Sequence, residues 1–403
     1  MTVQPKPKYQ GSRRRKLLCA IITVCAVLVL VGALFAILHL RRQQQLYADR
    51  DALIADLTNR RGEYDERSIV LADTSRGAAT ALAQKLGATL RISSDGSFAT
   101  LTLPEGKTFL DVCLDDTYLA DLPCMSIDYE ARVSDWVEES EDSLPQPMRP
   151  QFAVSDDGYG QQSYLDYVNL RDAWYHSSGS GVLVAVIDTG IDTDHPEFVG
   201  RISEYSYNAT EDKIVKDYLT EDGDYDWSLI EDEQGHGTSV AGVLGAPMDN
   251  GGIVGVAPNV SLLVIKAECT PSGSFKRTSD LVFGLYYAIE CDAKVVNMSF
   301  GSQSTENAFA EATRLAVDSD VICIAAAGND TTADVNYPAC DPNVVGVGAL
   351  ENGGWGLAPY SNFGDNVDMV APGTTYTAKM GGGYSVTQGT SLAAPVVAGA
   401  VAL

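Results

Sequence analysis

The sequence predicts an α/β fold with a doubly wound, mainly parallel sheet, preceded by a small α+β module and a transmembrane helix. Three observations carry this prediction. Residues 17–38 form an uncharged run of 22 residues near the N-terminus. Short strand and helix patterns follow in the order βαββαβ. After residue 164, continuous apolar runs of strand length alternate with helical segments, as in parallel sheets that are buried on both faces.

The N-terminal segment has the composition of a signal-anchor. The apolar run is long enough to cross a bilayer core of about 30 Å as a helix. Six basic residues precede it and three follow closely, so the positive-inside rule predicts a cytoplasmic tail at 1–16 and an extracellular chain after 40. A cleaved secretory signal is the alternative. The run exceeds a normal signal core and lacks a small-x-small cleavage site, which favours an uncleaved anchor at 17–40.

Composition excludes some classes of function and leaves other questions open. The formal net charge of -26 argues against non-specific nucleic-acid binding, which requires clustered basic side chains. Of the 8 cysteines, two lie in the apolar run, and no Cys-x-x-Cys spacing predicts a zinc site. The other six permit about 15 complete disulfide pairings, so the sequence assigns none.

A polar spacer is predicted at 41–67, followed by an α+β module at 68–134 and an acidic, proline-rich linker at 135–163. The module has the order βαββαβ, which is a ferredoxin-like arrangement. Its predicted strands are 68–71, 90–92, 98–103 and 125–133, and its predicted helices are 77–86 and 109–119. The linker is exposed by composition, and it is therefore a candidate site of proteolytic cleavage.

The remaining residues, 164–403, predict the doubly wound sheet, with a functional site at the carboxyl ends of its strands. The predicted strands are 182–187, 262–267, 295–298, 321–326 and 344–347. The predicted helices are 238–244, 279–290 and 306–317.

Three residue types in this region form a candidate nucleophilic site. Asp188 ends a buried strand, His236 lies between two glycines at a helix start, and Ser391 lies between a glycine and a small-residue helical run. A serine hydroxyl becomes a good nucleophile when an imidazole takes its proton and a carboxylate orients that imidazole. On its own, the Gly-Thr-Ser stretch is equally well explained as a helix cap.

The motifs Asp-Thr-Gly, His-Gly-Thr-Ser-Val-Ala-Gly and Gly-Thr-Ser-Leu-Ala-Ala-Pro resemble, in this order, the signature blocks of the subtilisin-like serine proteases (subtilases). The resemblance implies a catalytic triad of Asp188, His236 and Ser391, with Asn329 as the oxyanion donor. It also implies a substrate pocket with Asp330 near its rim. The pocket residues would be Ser299, Phe300, Gly301, Ala326, Ala327 and Gly328.

The resemblance also implies that the module at 68–134 is a propeptide that inhibits its own enzyme. Cleavage within 135–163 would then free the catalytic domain from the membrane; persistent attachment is the alternative. No cofactor is required for the chemistry. A structural calcium ion is implied at Glu197 and Asp249, with a metal-free Asn-Gly turn as the alternative.

Two departures from the family pattern stand out. Residues 203–233 form a longer acidic segment, expected to be a solvated loop, with cation binding as the alternative. The chain ends 12 residues after Ser391, so we expect a C-terminally incomplete catalytic domain. The leading hypothesis is a membrane-anchored zymogen of an endopeptidase acting on proteins or peptides. The alternative is an inactive, peptide-binding relative; a lipase or esterase would have its motifs in a different order.

Overall fold

The computed structural model describes residues 41–42, 44–60, 64–71, 74–133, 137–139, 154–302 and 307–403. The predicted cytoplasmic tail and signal-anchor lie outside these residues, as does most of the predicted linker. Among the helices that are described, none has the length and apolar character needed to cross a membrane. The chain divides into two units, of which the first comprises residues up to Arg60 together with Phe109–Cys124 and the second comprises the rest.

The first unit contains helix α1 (44–59) and helix α3 (Phe109–Leu114). Arg50 joins them, since its Nη1 donates to Asp116 Oδ1 at 2.8 Å. The helix predicted at 109–119 is too long. It ends at Leu114 because the side chain of Asp115 accepts a hydrogen bond from Thr117 N and begins a separate 3₁₀ turn.

The second unit begins with a four-stranded antiparallel sheet in the order β2-β3-β1-β4. Its elements are β1 (Tyr64–Leu71), α2 (Arg76–Leu86), β2 (Thr89–Ile92), β3 (Ala99–Thr102) and β4 (Met125–Tyr129). Ser75 caps the start of α2, where its side chain accepts from Ala78 N, and Gly87 caps the end in the left-handed conformation. With α3, the order along the chain is the predicted βαββαβ. We call β1–β3, α2 and β4 the module.

The strand predicted at 125–133 is in fact two strands. β4 ends at Tyr129, and β5 (Ala131–Val133) leaves the module to lie between β11 (Ser274–Phe275) and β13 (Phe300–Gly301). Ala131 explains the departure, because its side chain is 2% exposed in the same apolar cluster as Phe275 and Phe300. A further strand inside the predicted linker, β6 (Val137–Glu139), pairs with β18 (Tyr384–Gln388).

The large sheet has eight strands in the order β16-β15-β14-β12-β7-β10-β8-β9, and all its pairs are parallel except β8 with β9. The eight strands of this sheet are β7 (Leu183–Asp188), β8 (Tyr207–Asn208), β9 (Lys213–Ile214), β10 (Ser261–Lys266), β12 (Val295–Met298), β14 (Ile322–Ala326), β15 (Val344–Leu350) and β16 (Met369–Pro372). The predicted strand 295–298 has the observed bounds, and the other predicted strands differ from the observed ones by one to three residues at their ends.

Helices cover both faces of this sheet, which confirms the doubly wound prediction. Val184 and Val186 of β7 pack in the cluster that includes α6 (His236–Gly245) and α9 (Thr390–Ala402). Ala185 and Ile187 face the opposite cluster, which includes α7 (Thr278–Glu290) and α8 (Asn307–Asp318). Both faces of each central strand are thus buried, which explains the continuous apolar runs.

Several elements were not predicted. They include the short helices α4 (Tyr164–Tyr167) and α5 (Leu170–Trp174), the strands β8, β9, β11 and β16, and the hairpin of β17 (Thr374–Ala378) and β18. β17 is buried along its whole length, yet it has the sequence Thr-Thr-Tyr-Thr-Ala, which carries no apolar run. All six cysteines of the described residues are free thiols.

Candidate active site

Asp188 and His236 meet at the carboxyl end of β7. His236 Nδ1 lies 2.7 Å from Asp188 Oδ1, and the two side chains are 0% and 1% exposed. The same carboxylate oxygen accepts a hydrogen bond from Thr189 N at 2.8 Å, which holds the carboxylate at the end of the strand. An imidazole whose Nδ1 faces a buried carboxylate presents Nε2 to a reacting group, as a general base requires.

The glycines around His236 allow the start of α6 to approach the loop after β7. A Cβ placed on Gly237 would lie 2.2 Å from Gly190 O and 3.2 Å from Asp188 Cβ, so any larger residue would force the helix away. Gly235, the N-cap, has a φ of 95°, which a residue with a side chain rarely adopts. These two glycines therefore set the distance between His236 and Asp188.

Asp232 was expected in a solvated acidic loop, but the structure buries it to 3% exposure. Its Oδ1 accepts from Thr189 Oγ1 and from the N–H groups of residues 234 and 235, and its Oδ2 accepts from the N–H and the hydroxyl of Thr238. It therefore ties the start of α6 to the loop that carries Asp188. Its position four residues before His236, at a helix N-terminus, was the signal that could have revealed this role.

Ser391 is the second residue of α9. The N-cap is Gly389, so Ser391 is not the capping residue of this helix. Its carbonyl oxygen accepts from Ser299 Oγ at 2.8 Å, which ties the first turn to the residue between β12 and β13. The N-terminal end of a helix carries partial positive charge, so a developing negative charge next to Ser391 would be favoured.

Asn329 lies beside the same helix start. Its Oδ1 accepts from Thr390 N and from Thr390 Oγ1, both at 2.9 Å. The preceding Gly328 donates its N–H to Thr390 Oγ1 at 3.2 Å and has a φ of 104°. Because the side-chain oxygen is committed to α9, the amide nitrogen is the end of Asn329 that is oriented to donate to another group.

The predicted pocket residues fall on two segments. Ser299, Phe300 and Gly301 follow β12, whereas Ala326 ends β14 and Ala327 and Gly328 follow it. Asn362, which the sequence did not single out, orders the second segment. Its Nδ2 donates to Ala327 O at 2.9 Å and its Oδ1 accepts from Asp330 N at 2.9 Å. Asp330 lies two residues after Gly328, and Asn362 binds its backbone as well.

The chain itself places a strand against the first of these segments. Backbone pairing joins Arg132 to Gly301 on one side and to Ser274 on the other, both antiparallel. A strand added between two existing ones is a standard mode of peptide recognition, in which main-chain hydrogen bonds give affinity and side-chain pockets give specificity. The groove between β11 and β13 can therefore hold an extended peptide.

Glu197 and Asp249, the expected calcium ligands, have different hydrogen-bond partners. Glu197 is buried, and its oxygens accept from Asn250 Nδ2, Ile253 N and the hydroxyl of Tyr384. Asp249 Oδ1 accepts instead from Ser155 N and Oγ. Among the described residues, no group of three or more His, Cys, Asp or Glu side chains is arranged to hold a metal ion. This arrangement does not fit a cation shared by the two carboxylates.

A family model described as the subtilase family matches residues 179–403, which is more than half of the chain. The chain belongs to the subtilase family. This subtilase is 38% identical over 246 residues to an intracellular serine protease of Paenibacillus polymyxa, and the match covers 59% of this chain and 71% of that protein. It is 37% identical over 250 residues to a thermophilic serine proteinase of Bacillus sp. strain AK1, covering 61% and 56%.

Among solved structures, this subtilase resembles fervidolysin from Fervidobacterium pennivorans, a keratinolytic enzyme related to subtilisin, with a TM-score of 0.69. That likeness covers 85% of this chain and 55% of that chain at 24% identity, and at this identity it shows the fold alone. This subtilase therefore spans only about half of the AK1 proteinase and of fervidolysin. The predicted enzyme class, a subtilisin-like serine endopeptidase, is confirmed by the family model and the curated relatives.

Proposed function

We propose that this subtilase hydrolyses peptide bonds with Asp188, His236 and Ser391 as its catalytic triad. The observation that carries the proposal is the buried 2.7 Å contact between His236 Nδ1 and Asp188 Oδ1. This contact lies at the carboxyl end of the sheet. The third motif of the same domain places Ser391 in the first turn of α9. The charge that develops on the imidazole during catalysis would be balanced by the Asp188 carboxylate.

The reaction proceeds in two stages. His236 removes the hydroxyl proton of Ser391 as Oγ attacks the carbonyl carbon of the scissile bond, and the carbonyl oxygen becomes an oxyanion. His236 then donates the proton to the leaving amine, which leaves an acyl ester on Ser391. A water molecule, deprotonated by His236, hydrolyses this ester and restores the serine. No cofactor takes part in any step.

Asn329 stabilises the oxyanion in this mechanism, through Nδ2. Replacement of Asn329 by alanine is expected to lower kcat by about 10²–10³-fold with little change in KM, the magnitude known from subtilisin, a relative of this chain. Steady-state kinetics on a peptide ester would measure it. The matched control is Asn259→Ala, at an exposed asparagine bonded to Ser178. A raised KM with unchanged kcat would contradict the assignment.

We further propose that the module and β5 form a propeptide that inhibits the enzyme before cleavage. Two features support this role. β5 occupies the groove between β11 and β13, where a substrate strand would lie. Asp128 of β4 accepts from Ser279 N at 3.0 Å and from Ser279 Oγ at 2.6 Å, and thereby docks the module on the N-terminus of α7. Cleavage within 135–163 would release the catalytic domain, whereas persistent attachment is the alternative.

This docking contact is expected to depend on pH. Burial raises the pKa of Asp128 from its ordinary 3.8 to about 6, although hydrogen bonds from Ser279 and Ser68 partly oppose the rise. Because the folded-state pKa is the higher one, the stabilisation is complete at low pH and is lost as the pH rises through 6. The expected loss is on the order of 3 kcal/mol in the free energy of unfolding between pH 4 and pH 7.

The test compares Ser391→Ala chains, which cannot digest themselves, with and without Asp128→Asn. Thermal unfolding would be followed at several pH values between 4 and 7. The chain with Asp128 should lose stability as the pH rises relative to the Asp128→Asn chain, in which this titration is absent. Parallel curves for the two chains would mean that Asp128 is already ionised throughout this range.

The location of the enzyme stays a prediction from the sequence. We propose that residues 17–40 anchor the zymogen in a membrane with the catalytic domain outside. The calcium ion expected at Glu197 and Asp249 is not proposed, because the partners of these carboxylates do not fit a shared cation. The N-terminal sequence of the mature protein, compared with that of Ser391→Ala, tests processing and release together. Casein hydrolysis by the full-length protein separates an active enzyme from an inactive peptide-binding relative.

A further inference from the structure

We propose that the α/β domain carries an arginine-binding site, separate from the active site, which holds Arg91 of the module and delays the release of the propeptide. This inference rests on the proposed function of the module as a propeptide. The ligand is a guanidinium group, and the site is formed by residues 207–212 and 277–283.

The guanidinium group of Arg91 makes four contacts with residues of the α/β domain, which is the part of the chain from residue 164 onward. Its Nη1 donates to Asp280 Oδ1 at 3.2 Å and its Nη2 donates to the hydroxyl oxygen of Tyr207 at 2.5 Å. Its Nη2 also lies 3.6 Å from Asp212 Oδ1. The guanidinium carbon is 3.8 Å from the centre of the Phe283 ring, within the range of a cation–π contact.

The groups that bind Arg91 are held in place by other residues. Asp280 is buried, and its second oxygen, Oδ2, accepts from Thr210 Oγ1 at 3.0 Å and from Arg277 Nη2 at 3.1 Å. Tyr207 donates its hydroxyl to Asp212 Oδ1 at 2.6 Å, so its oxygen lone pairs face Arg91. The site therefore has the right geometry for a guanidinium independently of Arg91, which lowers the entropic cost of binding.

Charge and shape both favour arginine over lysine. Asp212 and Asp280 contribute two negative charges against the single positive charge of Arg277, and Arg91 balances the remainder. A guanidinium can direct separate N–H groups to Asp280 and Tyr207 while its plane lies on Phe283. An ammonium group is a compact point charge that cannot make these contacts at once.

The site gives a role to part of the acidic segment at 203–233. Tyr207 and Asp212 belong to this segment, and together they supply one half of the site. An open cleft of about 530 Å³ runs beside Arg91 and is lined by Tyr207, Asp212, Phe283 and Glu290. The outer side of Arg91, whose side chain is 20% exposed, therefore borders open space, and a small molecule that carries a guanidinium can compete with it.

The proposal predicts how fast activity appears. After cleavage, the propeptide is held only by non-covalent contacts, and the loss of an anchoring charge contact acts mainly on the rate of dissociation. In the full-length chain, Arg91→Ala and Arg91→Lys should each shorten the lag before casein hydrolysis about tenfold. The matched control is Arg76→Ala, since Arg76 Nη2 donates to the carbonyl oxygens of Ser93 and Ser94 within the module. Its lag should equal that of the wild type.

Two further measurements test the proposal even if the Arg91 variants fail to fold. Tyr207→Phe removes the acceptor from the opposite side of the site, and its effect on the lag should largely vanish when Arg91 is already alanine. N-acetyl-arginine amide should shorten the lag of the wild type but not of Arg91→Ala, whereas N-acetyl-lysine amide should act on neither. Equal effects of the two amides, or a wild-type lag in Arg91→Lys, would overturn the proposal.

Titration with a serine-directed phosphonate separates this inference from the proposed function. If no chain is ever labelled, the proposed function fails. If the chains are labelled to the same final extent and their lags are equal, the enzyme is active and the arginine-binding site does not control release.

Discussion

Replacement of Ser391 by alanine is expected to remove essentially all peptidase activity, with a loss in kcat on the order of 10⁶-fold, as known for the triad serine of subtilisin. The hydroxyl is the only atom group lost, and without it no acyl ester can form. Residual hydrolysis would come from binding and oxyanion stabilisation alone. Phosphonate labelling followed by mass spectrometry, together with casein hydrolysis by the full-length chain, would measure the loss.

The matched control is Ser319→Ala, at an exposed serine after α8. It should be labelled as fast as the wild type. The Ser391→Ala chain should also keep its uncut N-terminal region, because processing depends on its own active site in the proposed zymogen. Equal labelling of wild type and Ser391→Ala would refute Ser391 as the nucleophile, and processing of the alanine chain in pure form would refute self-cleavage.

Replacement of Asp188 by asparagine is expected to lower kcat at neutral pH about 10⁴-fold with little change in KM. Asparagine has nearly the same shape, so the loop can keep its conformation, but one side-chain atom faces both Thr189 N and His236 Nδ1 and cannot accept from the first while donating to the second. Its amide group can donate to His236 Nδ1, which would favour the wrong tautomer of the imidazole, and it cannot balance the charge on the imidazolium. Steady-state kinetics on a peptide ester would give both constants.

Asp194→Asn is the control for this change, since Asp194 lies exposed on the same loop. Its kinetics should match those of the wild type, and both variants should unfold at the wild-type temperature. A loss in Asp188→Asn that appears mainly in KM would point to a role in substrate binding. A loss that is accompanied by a large fall in thermal stability would point to a structural role.

The sequence revealed the residues of the candidate site better than it revealed their surroundings. Asp188, His236 and Ser391 each lie in a short motif, so a local pattern was enough to find them. Asp232 belongs to an acidic stretch and was expected in solvent. Its burial depends on hydrogen bonds from Thr189 and Thr238, which reach it only after the two segments have packed together.

The strands that were predicted also have a local sequence pattern, whereas some of the unpredicted strands have none. β7, β10 and β12 are buried on both faces, so their apolar runs stand out in the sequence. β17 is buried as well, but it has three threonines among its five residues, one of which forms a 2.7 Å hydrogen bond from Thr377 Oγ1 to Ser239 O. A polar side chain can be buried when it has a partner, and the identity of that partner is not visible in a local window.

By itself, the sequence determined the family, the doubly wound sheet and the residues proposed for the triad, because apolar periodicity and short motifs are local properties. Only the tertiary structure decided that β5 leaves the module for the groove beside Gly301, and that Arg91 meets Asp280 across 189 residues of chain. Such contacts depend on which surfaces pack together, and the free energy that stabilises them comes from packing between segments that are distant in the sequence.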